Sequence, residues 1–342
     1  MHNFSLQQSN YLKAIAILMM LGLHLFNRDY NNLFEPLIFI GSKPLSYYIS
    51  LFCDACVPIF AFVSGYGLYF KYQKDSSKYV GDHGRRLKKL YINYWVIIAL
   101  FPVALGLILG EDGYPGSFVK LFLNITAIDP SYNGAWWFFT TYVLFVLTSK
   151  FWFKFLDRLN PYLFFIALGI FYLVSFYFRI YKTEIFNSTV LQWVHRQAAL
   201  YFCTLFQFML GAFALKYNWK AVSDKLFNLF RNKNLWALLG MILLIVFHAF
   251  VPNFIVAPFI GIGFIFLFLQ MNLPNSVNQI LDYLAPHATN LWLVHMFFYM
   301  IFFSEFVYRF HYVLLIYIVL IALCLVSSYI INYFVKILQK WV

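Results

Sequence analysis

The chain has 342 residues, of which 63% are hydrophobic and 11% charged, with a formal net charge of +12. Soluble globular proteins hold about 45–50% apolar and about 25% charged residues, so a mean hydropathy of +0.72 excludes an ordinary soluble domain. Nucleic-acid binding is excluded as well, because the Lys and Arg residues sit in short stretches between apolar runs rather than on one folded polar face.

A bilayer-spanning helix needs about 17–25 mostly apolar residues. Read at that length, the chain predicts ten spans: 11–27, 48–70, 90–110, 134–153, 161–178, 198–215, 235–251, 253–272, 289–308 and 312–335. The first resembles a signal-peptide core over Ala14–Leu23, but no small-residue cleavage site follows, so it reads as a retained helix. It carries Lys13 and His24, eleven residues or about 16 Å apart. That spacing is three turns, which puts both on one helix face; a polar lumen inside the bundle and a simple hydrogen bond from His24 to a neighbouring helix are equal readings. The second span begins near Cys53-Asp54-Ala55-Cys56, which reads as small residues in helix packing rather than as a redox pair.

Ahead of the third span lies Gly84-Arg85-Arg86-Leu87-Lys88-Lys89. Arg86 and Lys89 project together if the helix starts here, and paired cations at a bundle mouth suit phosphate groups. A basic loop also fixes topology and holds anionic lipid, and that alternative stays open. Segment 117–128 is too short to cross and reads as interfacial or re-entrant. The fourth span holds Trp136 and could extend past Trp152. The seventh and eighth nearly abut at Val251-Pro252-Asn253, as in a helical hairpin. The ninth carries His295 inside an apolar run, whereas His248 and His195 read as packing or interfacial residues.

With the N-terminus inside, the cytoplasmic side collects 18 of the Lys and Arg residues and the opposite side 7. By the positive-inside rule both termini are cytoplasmic. The expected fold is therefore an all-α integral membrane bundle of about ten helices, a single polytopic domain over 1–342 with no soluble C-terminal domain. No metal-ligand cluster, P-loop or dinucleotide fingerprint is visible.

Taken together, several of these segments resemble the bacterial membrane acyltransferase family 3. The family opens with an acidic residue, Leu-Arg-Gly, and apolar residues up to a His; here Asn10-Tyr11-Leu12-Lys13 leads to His24. Val57-Pro58 through Ser64-Gly65-Tyr66 is similar to its second-helix pattern, and Arg86-Leu87-Lys88-Lys89 to its Arg-x-x-Arg motif. Trp136-Trp137-Phe138 corresponds to its Trp-Phe motif and Trp292-Leu293-Val294-His295 to its closing one. The chain departs at Asn10, at Lys13 and Lys89, which replace arginines and lose bidentate geometry, and in the missing proline after the basic motif.

The resemblance implies transfer of an acyl group, usually acetyl, from cytoplasmic acetyl-CoA or another acyl-CoA to a hydroxyl of a cell-surface or lipid-linked glycan. The setting would be the bacterial plasma membrane, with membrane lipid and glycan-assembly proteins as partners, no nucleic acid, and no permanently bound cofactor or metal. His24 is then the base or acyl relay, since an imidazole of pKa about 6.5 can do either at neutral pH. Lys13 is a lumen cation, Arg85, Arg86 and Lys89 bind donor phosphate, and Trp136 and His295 line the site. The alternative is a polytopic transporter or flippase for a glycolipid or polysaccharide precursor, against which stands the lack of halved symmetry.

Overall fold

Ser5 opens the first helix by reciprocal capping: its hydroxyl accepts from the Gln8 backbone N–H at 3.0 Å, and its own N–H donates to the Gln8 side chain at 3.0 Å. The structure, a computed structural model, describes residues 4–28 and 33–340. Helix α1 (Leu6–Phe26) is followed by α2 (Leu45–Lys74), α3 (Gly81–Leu109), the short α4 (Phe118–Ile125), α5 (Trp137–Arg158), α6 (Pro161–Ile180) and α7 (Thr189–Lys216). Next come α8 (Trp219–Phe227), α9 (Lys233–Phe250), α10 (Phe254–Phe268) and α11 (Asn275–Leu284). The chain closes with α12 (Ala288–Met296), α13 (Ser304–Tyr308) and α14 (Val313–Gln339). Among the described residues the one sheet is a hairpin pairing Phe39–Ile40 with Lys43–Pro44.

Seven of these helices (α1, α2, α3, α6, α7, α9 and α14) are long and apolar enough to cross a membrane. The protein is thus an all-α, multi-pass membrane protein. The other three predicted spans are helical but different. Span 134–153 falls on α5, 22 residues long, and span 253–272 on the shorter α10. Span 289–308 is broken: α12 passes into a π turn at Phe297–Ile301 before α13 resumes. Helix α3 begins at Gly81 rather than at 90, so the basic motif is helical and not a preceding loop. Arg, Lys and Leu are good helix formers, but a hydropathy window stops where the apolar residues stop. Helices α9 and α10 pack together as the expected hairpin.

The bundle centre is the pairing of α2 with α7, the most extensive in the molecule. Gly65 and Gly211 make it possible. A Cβ at Gly65 would stand 1.7 Å from the Phe208 carbonyl oxygen, and one at Gly211 would stand 2.0 Å from that of Phe62. Such backbone-to-backbone contact is how membrane helices associate where lipid removes the hydrophobic drive between them. Gly65→Ala is expected to cost on the order of 3 kcal/mol, because a backbone cannot yield as a flexible side chain does. The check is the thermal unfolding midpoint in detergent, which should fall; an unchanged midpoint would mean the helices are not in contact there.

Outside this core, α9 exposes Leu235, Leu239, Ile242 and Leu243, and α14 exposes Leu314, Ile318 and Val326. Apolar surface of this extent suits a lipid solvent.

Candidate active site

His24 lies in the last turn of α1 and His295 at the end of α12, 271 residues apart in sequence. Their rings are nearly coplanar, 2° apart, and His24 Nδ1 meets His295 Nε2 at 2.7 Å. On the far side, His295 Nδ1 is 2.6 Å from the Trp292 carbonyl oxygen. A carbonyl can only accept, so His295 Nδ1 carries the proton and its Nε2 must accept. His24 Nδ1 therefore donates, and the lone pair of neutral His24 is left on Nε2. The backbone carbonyl of α12 thus sets the tautomer of a ring one residue removed, as an orienting group does in a catalytic triad.

That imidazole borders two cavities. One, of about 540 Å³, is lined by His24, Asn27, Arg28, Asp54, Tyr299 and Met300. The other, of about 220 Å³, is lined by His24 and Asp54 together with Trp137, Arg179, Phe254 and Trp292. Arg28, one turn beyond His24, donates to the His24 carbonyl at 2.8 Å and lies 5.3 Å from the Tyr299 ring centre. It caps α1 with positive charge and faces the larger cavity. Asp54 stands on the 3-10 turn Cys53–Ala55 inside α2, 4.0 Å from His248 Nε2.

His295 and Trp136 are on the lining of neither cavity, and both side chains are completely buried. They act from behind the wall. Trp136 Nε1 donates to the Leu293 carbonyl at 2.8 Å, and Asn133 Nδ2 donates to the same oxygen at 3.1 Å. In return Trp292 Nε1 donates to the Ala135 carbonyl at 3.0 Å. The turn Asn133–Trp136 is thereby locked against α12, which fixes where His295 sits. The tryptophans that line a cavity are instead Trp137 and Trp292.

The cations gather at the opposite end of α1. Lys13 lies within electrostatic range of Arg86 and Lys71, and Lys71 within range of Arg86 and Lys89. A cavity of about 370 Å³ there is lined by Lys71, Lys74, Lys78, Asp82, His83 and Arg86. Lys13 therefore groups with the basic cluster and not with the His24 cavities. Lys89 is exposed, three residues along the same helix from Arg86. Arg85 is turned outward, 78% exposed, and pairs with Asp82 at 3.4 Å instead of lining the cavity.

Sequence reasoning missed Asp54, Arg28, Arg179 and Tyr299. Asp54 was hidden in a stretch read as packing, and the two cysteines beside it are indeed buried free thiols. The available signal was an acid within the helix starting at Leu45. For Arg28 it was the i+4 spacing from His24. A network of Asn93, Asn290, Ser328 and Asn332 also joins α3, α12 and α14, with Asn93 Nδ2 donating to Asn290 Oδ1 at 2.7 Å. Among the described residues no group of His, Cys, Asp and Glu is placed to hold a metal ion.

A family model described as an acyltransferase domain matches residues 6–333. No curated protein and no solved structure matches the chain. With its first membrane helix, most of its last and the paired histidines inside that match, the chain belongs to the acyltransferase 3 family.

Proposed function

We propose that the protein transfers an acyl group, most simply acetyl, from acyl-CoA on the cytoplasmic side to a hydroxyl of a lipid-linked or cell-surface glycan. The observation that carries this reading is the hydrogen-bonded chain from Trp292 through His295 to His24, which leaves the lone pair on Nε2 of an imidazole that lines two cavities. In this reading the chain spans a bacterial plasma membrane ten times, with both termini and the basic cluster in the cytoplasm and His24 toward the outer face.

The chemistry follows from that placement. The acceptor hydroxyl gives its proton to His24 Nε2 as its oxygen attacks the thioester carbonyl carbon. The carbon–sulfur bond then breaks, the ester remains on the acceptor, and the CoA sulfur leaves with the electron pair and takes back a proton. The imidazolium formed in between is stabilised where its Nδ1–H meets His295 Nε2, since a charged donor makes the stronger hydrogen bond. Arg28 and Asp54, on the wall beside His24, bind the reacting groups. Donor phosphates are held by Arg86, Lys71 and Lys13, with Lys89 adding charge at the mouth. A mediating acyl-His24 would need the same lone pair.

The test is CoA release from acetyl-CoA by purified protein in lipid nanodiscs, with and without a glycolipid acceptor. Arg86→Ala is expected to raise KM for acetyl-CoA by about tenfold and to change kcat much less, as removal of one charged phosphate contact should. If neither turnover nor acetyl-CoA binding occurred, and Arg86→Ala changed nothing, the transfer reading would be abandoned.

A further inference from the structure

Arg179 closes α6 and is used nowhere in the transfer scheme. Its guanidinium lies between two rings, 4.7 Å from the centre of Trp137 and 4.7 Å from that of Phe254. Faces stacked on a guanidinium fix its plane but take none of its in-plane N–H groups. Among the described residues its one hydrogen bond goes to the Cys203 thiol at 3.7 Å, a weak acceptor. No carboxylate among the described residues forms an ion pair with it; Asp54, which shares its cavity, is within electrostatic range but beyond the 4.0 Å of an ion pair, so the other N–H groups stay free for a ligand. A planar cation with up to five donors is thus held by two aromatic plates at the wall of the smaller cavity, with His24 on the same lining.

We infer that Arg179 is a specificity-determining oxyanion site, so that one of the two reacting molecules carries a carboxylate or phosphate within the small cavity beside His24. The inference rests on the transfer reading and deepens it by naming a substrate class. Arg is the side chain suited to planar, bidentate capture of such groups, and aromatic sandwiching pre-organises the fork. Beside it on the lining stand His24 and Asp54, and a carboxylate there suits hydroxyl donors and not a second anion. An acid bearing hydroxyls, or an acyl group with a carboxylate at its tip, matches this pair of walls.

Two sources share the chemistry: the acyl group (a succinyl in place of an acetyl) or the acceptor (a uronate or phosphosugar in place of a neutral sugar). The experiment measures affinities of the full chain in nanodiscs for acetyl-CoA, succinyl-CoA, octyl glucoside and octyl glucuronide, with CoA release recorded in parallel. Arg179→Met keeps an unbranched chain between the rings, and Arg179→Lys keeps the charge without the fork. Arg179→Met should weaken one anionic ligand by about tenfold or more and change its neutral counterpart by less than about twofold, with Arg179→Lys between. Loss confined to succinyl-CoA assigns the oxyanion to the acyl group; loss confined to octyl glucuronide assigns it to the acceptor.

Equal losses for neutral and anionic ligands, or none, would overturn the assignment, the first by making Arg179 a structural brace. Discrimination that depends on Arg179 without CoA release from any combination by the wild type would keep the site and overturn the transfer reading instead. CoA release without discrimination would do the reverse.

Discussion

His24→Ala is expected to lower acyl transfer by at least about 10³-fold while acetyl-CoA still binds. General base catalysis contributes about 10²–10⁴-fold, and loss of an acyl relay would cost no less. Among the described residues His24 is the one imidazole that is both hydrogen-bonded to a second histidine and placed on the lining of the two cavities. The basic cluster lies at the other end of α1, so donor affinity should be unchanged to within about twofold, and kcat should carry the loss. The measurement is steady-state CoA release alongside direct acetyl-CoA binding. Retention of more than a tenth of the wild-type rate would remove His24 from the reaction. A parallel loss of donor binding would instead point to a misfolded α1, which the thermal midpoint would reveal.

The second large effect concerns a residue that touches no cavity. His295→Ala should lower kcat by about 10²–10³-fold with KM for acetyl-CoA unchanged. His295 holds the proton of His24 on Nδ1; without it the His24 imidazole is free to take the other tautomer and to rotate. Losing the orienting partner of a catalytic histidine costs up to about 10⁴-fold in serine proteases. His295→Gln supplies the discriminating readout, because a side-chain amide oxygen can accept from His24 Nδ1 where alanine cannot. Rescue by Gln of about tenfold or more over Ala identifies a positioning role, whereas equal rates for Gln and Ala would mean that His295 merely fills space behind the wall.

Much of the fold was legible because the bilayer acts residue by residue. Span 161–178 coincides with α6 to within two residues, and 312–335 starts one residue ahead of α14 and otherwise falls within it. The misjudged boundaries share one cause. Where a helix continues into polar sequence, as α3 does back to Gly81 and α7 to Thr189, hydropathy ends before the hydrogen bonding does. Conversely, the apolar run at 289–308 hides a break, because its residues are as hydrophobic in the π turn as in the helix.

His24 and His295 were each visible as a polar residue in an apolar run, and so was the basic motif. What no sequence pattern told was that the two rings touch, that Trp136 braces rather than lines, or that Arg85 turns away from its neighbour. Arg179 lay at a predicted span end, where a cation reads as an anchor; only the meeting of Trp137, Phe254 and the His24 cavity gives it a site. A membrane bundle, its basic end and the histidines worth testing could be read from the residues one by one, since solvent preference and charge are properties of each residue alone. The tertiary structure decided which helices adjoin and hence which side chains meet. Hydropathy cannot decide that, because a face turned to lipid and a face turned to another helix are equally apolar, and Gly65 against Phe208, not hydrophobicity, sets how closely they come.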